Sequence, residues 1–266
     1  MVDQRSDPPA HTDPSRSTDP VSPDATQYID AVVDRWDQLI NWQGRRAGEG
    51  DFFIDQLRSH GVRTVLDVAT GTGFHSVRLL EAGFTTVSAD ASAAMLARAT
   101  ANAAELGHRL DTVVADWRTL GRDVDGPFDA VICLGNSFAH LFDEDDRQRA
   151  LGEFASVLAP GGVLIIDQRN YDAILGGEFA SSGSYYYCGV DVDVRPVRVD
   201  DGVVRMRYSF PDGEAFHISQ FPLRRAHLLD LLKAGGFDDV TTYGDFQAVE
   251  TDDVGFFIHV AKLPPR

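Results

Sequence analysis

The stretch Val65-Leu-Asp-Val-Ala-Thr-Gly-Thr-Gly73 constrains the fold more than any other part of the chain. An apolar run containing Val62, Val65, Leu66 and Val68 leads into two glycines. Residues 75–81 then place Val77 and Leu80 three apart, the spacing of one helix face. This order predicts a buried strand, a glycine turn and a helix, the unit that opens a nucleotide-cofactor site. Glycine matters here because a ligand can lie against the main chain only where no side chain intervenes, and glycine adopts positive φ cheaply. Taken alone, the loop also suits an ordinary tight turn.

The chain has 266 residues, enough for one α/β domain with an insertion and short for two independent ones. Apolar residues make up 43%, yet no run approaches the roughly 18 that a membrane span needs, so a soluble protein with no membrane partner is expected. Residues 1–23 are rich in Asp, Pro, Ser and Thr without the apolar core of a signal peptide, and read as a disordered tail. Two cysteines, Cys133 and Cys188, are too few for a disulfide framework and favour a reduced, cytoplasmic setting. A net charge of −17 repels phosphate backbones and argues against nucleic acid as a partner. Lysine occurs only at Lys233 and Lys262; a salty cytoplasm and a high-GC genome explain that equally well. The eight histidines and two cysteines show no metal-ligand spacing.

An N-terminal cap at Asp24-Ala-Thr-Gln27 predicts a helix to about Leu39 that loosens through Asn41-Trp-Gln-Gly44, followed by a second helix over residues 51–60. Tyr28, Trp36 and Arg46 fall in this region, as packing and solvation or as parts of a lid. Asp90 ends the second predicted strand, 17 residues after Gly73. There it suits ribose hydroxyls or a helix cap that Ser92 could equally supply. A third strand, residues 111–115, runs into Asp116-Trp117, an acid beside an aromatic at the ligand edge of such a sheet. A fourth, residues 128–134, precedes the loop Gly135-Asn-Ser-Phe-Ala-His140. A helix over residues 143–158 is stopped by Ala159-Pro-Gly-Gly162, and residues 163–167 form a fifth strand leaving through Gln168-Arg-Asn-Tyr171. Alternation at this spacing implies a parallel sheet with helices on both faces. Residues 184–194, 203–210 and 215–221 predict a small antiparallel sheet with a hairpin at Pro211-Asp-Gly213. After a helix over residues 223–234, residues 240–246 and 256–261 close the main sheet as an antiparallel pair.

In Gly71-Thr-Gly-Phe-His-Ser76, serine stands where a dinucleotide fingerprint wants its third small residue. Asp67 lies four residues before Gly71, and Asp-x-x-x-Gly-x-Gly resembles the first motif of the S-adenosylmethionine-dependent methyltransferases. Together with Asp90, Asp116-Trp117, Cys133-Leu-Gly-Asn-Ser-Phe-Ala-His140 and Asp167-Gln-Arg-Asn-Tyr-Asp172, the pattern resembles the glycine and glycine/sarcosine N-methyltransferases from about Tyr28 to Val260. The resemblance implies a class I, Rossmann-like α/β fold with a mostly parallel seven-stranded sheet. It divides the chain into a tail (1–23), a helical lid (24–60), a cofactor core (61–175), an antiparallel insert (176–222) and the end of the core sheet (223–266).

The same resemblance implies that Tyr28, Trp36, Arg46, Ala69, Gly71, Asp90, Asp116, Trp117 and Leu134 bind S-adenosylmethionine. Asn136, Arg169 and Tyr208 would bind the amino acid, with Gly135 and Asn136 aiming its amine. Arg46 suits the donor's carboxylate, Asp90 two ribose hydroxyls, and Arg169 a planar fork on the acceptor's carboxylate. His140 is either a base or a structural residue. The implied reaction carries glycine to sarcosine and dimethylglycine, toward betaine, in a monomer. Other acceptors, namely sarcosine and dimethylglycine alone or another small amine, or S-adenosylmethionine binding without turnover, are the alternatives. Gln220-Phe-Pro222 stands where vertebrate members have a tyrosine pair before a proline.

Overall fold

A computed structural model describes residues 30–179, 191–249 and 251–265. The predicted cap at residues 24–27, Tyr28, Cys188 and most of the first expected insert strand lie outside these residues.

Strands β1 (Thr64–Asp67), β2 (Thr85–Asp90), β3 (Asp111–Val114), β4 (Phe128–Cys133) and β5 (Leu158–Arg169) run parallel, in the spatial order β5-β4-β1-β2-β3. Antiparallel β11 (Phe256–Lys262), β9 (Asp238–Gly244) and the two-residue β10 (Gln247–Ala248) extend the β5 edge, giving eight strands among the described residues where seven were expected. The chain reverses its winding between β1 and β4, so a crevice opens beyond the carboxyl ends of these strands.

Alternation within each strand sends side chains to two cores. Leu66, Val131 and Leu164 pack on α6 (Glu144–Ser156) and α8 (Arg225–Ala234) through Leu151, Phe154, Leu228 and Leu231. Val65, Ile132 and Ile165 pack on α3 (Phe52–Ser59) and α4 (Phe74–Glu81) through Phe53, Leu57 and Leu79. α5 (Ala93–Glu105) joins β2 to β3.

Two local expectations are corrected. Residues 41–44 do not loosen: Asn41 breaks α1 (Asp30–Ile40) at φ 45°, and its carboxamide oxygen then accepts from Gly44 N, capping α2 (Trp42–Glu49). Residues 159–162 belong to β5, not to a helix stop. Phe128 pairs with Leu158 and Ala130 with Val163, so the intervening residues bulge, with Gly161 at φ +75°. The first described insert strand is β6 (Asp193–Asp200), which joins β7 (Val203–Ser209) and β8 (Ala215–Gln220). The hairpin after β7 is tied to α1 by Arg35, which pairs with Asp212 and, at 2.8 Å, with Glu214. The inner face of the insert, Val204, Met206 and Tyr208, packs on Leu39 of α1 and on Tyr171 and Ile174 of α7 (Tyr171–Leu175).

Candidate active site

The glycine turn is braced by two acids, Asp67 buried and Asp90 half-buried. Asp67, at the end of β1, accepts from Ala69 N at 3.2 Å and from Ser76 Oγ at 2.8 Å, and Ser88 Oγ donates to Ser76 Oγ at 2.8 Å. The serine that departs from the dinucleotide pattern is therefore a strut between β1, α4 and β2. Gly73 sits at φ +98°, and a Cβ there would lie 3.0 Å from the Cβ of Ala99, so its absence lets α4 start against α5. Asp90 accepts from Gly71 N at 2.8 Å and from Ser92 N at 2.9 Å. α5 is capped by Ser92, whose Oγ accepts from Met95 N, so capping does not consume Asp90. Burial outweighs these hydrogen bonds and pushes the Asp67 and Asp90 carboxyls each up to about 6.

Above this turn lies a cavity of about 420 Å³. Trp36, Ala69, Gly71, Asp90, Asp116, Trp117, Leu134 and Gly135 all line it, so most of the residues expected around a cofactor converge. Trp117 is fixed by a 2.6 Å bond from Nε1 to the carbonyl of Val68 and by stacking on Phe138. Asp116 is engaged by Arg118, whose Nη2 stands 2.5 Å from its carboxylate and whose backbone N–H it also accepts.

Arg46 does not reach the cavity. Its side chain is 59% exposed and pairs with Glu81 at 2.9 Å. Its neighbour Arg45 lines the wall and is 5% exposed. Successive helix residues point about 100° apart, so only one of the pair can face inward. The available signal was Glu49, four residues after Arg45 on the same face.

Beyond Gly135 a second layer is closed off. Asp167 accepts from Gly135 N at 2.8 Å and from Asn136 N at 2.6 Å, holding Asn136 at φ 59°. The carboxamide of Asn136 accepts from Arg169 N at 2.8 Å and donates to Tyr171 Oη at 2.8 Å, and Tyr171 donates on to Gln220 at 3.2 Å. The Arg169 guanidinium lies 5.1 Å from the ring centre of Phe256. Asn136, Arg169 and Tyr208 are all buried, and none of them lines the 420 Å³ cavity. Tyr171 and Gln220, both named in the sequence patterns without a role, are the links that were missed.

His140 lines the cavity, and burial pushes its imidazole down to about 4. A ring this weakly basic is a poor proton acceptor near neutrality. Unfolded histidine takes up its proton near pH 6.5, the folded ring only near 4. Stability is therefore full above pH 6.5 and falls as the pH drops toward 4, by up to about 3 kcal/mol from this group. His140→Phe is expected to flatten that loss in urea titrations from pH 7 to 4.5; an unchanged slope would mean that the folded ring is already charged.

The residues present suit a nucleoside-bearing donor. The volume falls within the range of small-molecule sites. Gly71 leaves the main chain open toward Trp36, whose Nε1 would lie 3.6 Å from a Cβ there, and Asp90 supplies an acid at the end of β2. Among the described residues no cluster of His, Cys, Asp and Glu could hold a metal ion, and no helix is long and apolar enough to cross a membrane.

A methyltransferase-domain family matches residues 65–162. Over 241 residues, 90% of each chain, the sequence is 56% identical to the glycine/sarcosine N-methyltransferase of Halorhodospira halochloris. The chain belongs to the glycine/sarcosine N-methyltransferase family. A second relative, the glycine/sarcosine/dimethylglycine N-methyltransferase of Actinopolyspora halophila, is 55% identical over 242 residues, which are 90% of this chain and 43% of that one. An S-adenosylmethionine-dependent methyltransferase structure from Clostridium acetobutylicum superposes with a TM-score of 0.71 at 21% identity, covering 88% of this chain and 98% of that one. The family's class I fold is thus present, with its inserted antiparallel sheet.

Proposed function

We propose that this glycine/sarcosine N-methyltransferase family member methylates glycine to sarcosine and sarcosine to dimethylglycine at the expense of S-adenosylmethionine. The 56% identity across 90% of both chains carries this reading. The glycine-lined cavity with Asp90 on its wall supports it.

S-adenosylmethionine, when bound, supplies a methyl group made electrophilic by its sulfonium. In this reading Asp90 holds the ribose, Trp117 and Leu134 flank the base, and Arg45 takes the amino-acid carboxylate in place of Arg46. Arg169, which is buried and outside the cavity lining in this structure, is assigned to the acceptor's carboxylate, with Tyr208 on the same side. The Gly135 carbonyl turns the amine's hydrogens, and Asn136 braces Gly135 against Arg169 from below through the bonds described above. Holding the nitrogen in line at about 3 to 3.5 Å supplies much of the rate by orientation alone.

Only the neutral amine carries a lone pair, and among the described residues no strong base stands at the cavity wall, so water is left to take the proton. The rate at saturating glycine is therefore expected to climb from pH 6 to 9, by up to about tenfold per unit. A flat profile over that range would refute the neutral-amine step. Labelled S-adenosylmethionine offered separately with glycine, sarcosine and dimethylglycine tests the acceptor and counts the methylations; label in none of the three products would overturn the reading. A cytoplasmic monomer completes it: Cys133 is a free thiol buried in β4, and light scattering reads the mass.

A further inference from the structure

Behind the cavity wall lies a carboxylate that no step above uses. The Glu49 side chain is 0% exposed at the end of α2 and is shared by three basic groups. Arg45 Nε donates to it at 2.5 Å, His75 Nε2 lies 3.1 Å away, and Arg78 Nη1 lies 3.5 Å away. Arg78 is drawn off toward the surface by the carbonyl of Gly50 and by Asp51 at 2.9 Å, so Glu49 serves chiefly Arg45 and His75. Burial pushes the Glu49 carboxyl up, but the neighbouring Arg45 and His75 outweigh it and hold it down at about 2. The Arg45 guanidinium carbon also lies 5.0 Å from the ring centre of Phe74, so the group is held at its Nε end and against its face. Arg45 and His75 line the cavity; Glu49 does not.

We propose that Glu49 and His75 are positioning residues that set the Arg45 guanidinium at the cavity wall for the carboxylate on the donor's amino-acid end, making the site selective for ligands that carry that end. This rests on the S-adenosylmethionine reading above. An arginine on a short helix loses rotamer freedom when it is fixed, and a fork held in place before binding spares the ligand that loss. Removing charge and removing orientation predict opposite signs. Without the Glu49 charge, Coulomb attraction alone would make Arg45 a better anion site; loss of its alignment makes it a worse one.

The experiment compares S-adenosylhomocysteine with 5′-methylthioadenosine, which lacks the amino-acid end, by isothermal titration calorimetry on the full chain. Glu49→Gln is expected to weaken S-adenosylhomocysteine about tenfold and leave methylthioadenosine within twofold. His75→Gln shifts the same ratio by about threefold and carries the test if Glu49→Gln does not fold. Equal loss of both ligands, or an unchanged or improved affinity for S-adenosylhomocysteine, overturns the proposal. A native protein that binds neither ligand refutes the donor reading instead.

Discussion

Replacing Arg169 by lysine is expected to lower kcat/KM for glycine by about 100-fold while S-adenosylhomocysteine still binds within about twofold. The substitution keeps the positive charge and removes the planar fork, so it separates steering by charge from steering by shape. A carboxylate held by two parallel bonds to a guanidinium has one orientation; held by an ammonium it pivots, and the amine pivots with it. The loss corresponds to about 2.7 kcal/mol, within the range for a charge-assisted hydrogen bond made in a buried site. The scaffold should survive, because Asn136 bonds the backbone N–H of Arg169 and not its side chain. Sarcosine carries the same carboxylate, so its kcat/KM should fall by a similar factor. Steady-state rates for both acceptors, with calorimetry for the nucleoside product, read the result. Parallel loss of product binding, or an unchanged kcat/KM for glycine, would remove Arg169 from the acceptor site.

The same arginine shows where reading from sequence stops. Apolar periodicity located β1, β2, β4 and the C-terminal antiparallel strands, because the alternation of Val65 with Leu66 and of Val131 with Ile132 is imposed by two cores on opposite faces of one sheet. Acids at strand ends could be placed on the ligand edge for the same reason. Periodicity within an element says nothing of which elements meet. The chain Asn136, Tyr171, Gln220 links a loop after β4, the start of α7 and the end of β8, and only the packing of the insert over α7 brings these together. Arg45 and Arg46 differ by one step of a helix whose start depends on the left-handed Asn41, a conformation that the local pattern did not reveal. Residues 159–162 look like a helix stop because proline and glycine end helices; they serve equally well in a bulge, and only the partner strand decides.

Asp90→Asn is expected to weaken S-adenosylhomocysteine and 5′-methylthioadenosine alike, each by about 100-fold, because both carry the ribose that this residue is proposed to hold. In the free protein one carboxylate oxygen accepts Gly71 N and the other accepts Ser92 N. Each oxygen keeps a further lone pair that can receive a ribose hydroxyl. Asparagine offers one oxygen and turns an N–H₂ group toward the other backbone N–H, so the variant loses an acceptor for the ligand and one for the turn. A bond to a charged acceptor contributes about 1.5 to 3 kcal/mol, so losing the one that receives a ribose hydroxyl accounts for a hundredfold loss of affinity, while the backbone N–H left unpaired in the turn lowers stability instead. The carboxyl, pushed by burial up to about 6, adds a second reading. Below that pH the native residue is protonated and surrenders an acceptor, so affinity for either nucleoside should decline as the pH falls from 7 to 5. The asparagine variant, with no proton to gain at this position, should decline less. A variant that lost S-adenosylhomocysteine but kept methylthioadenosine would locate the damage at the amino-acid end of the cavity, and the assignment of Asp90 to the ribose would fall.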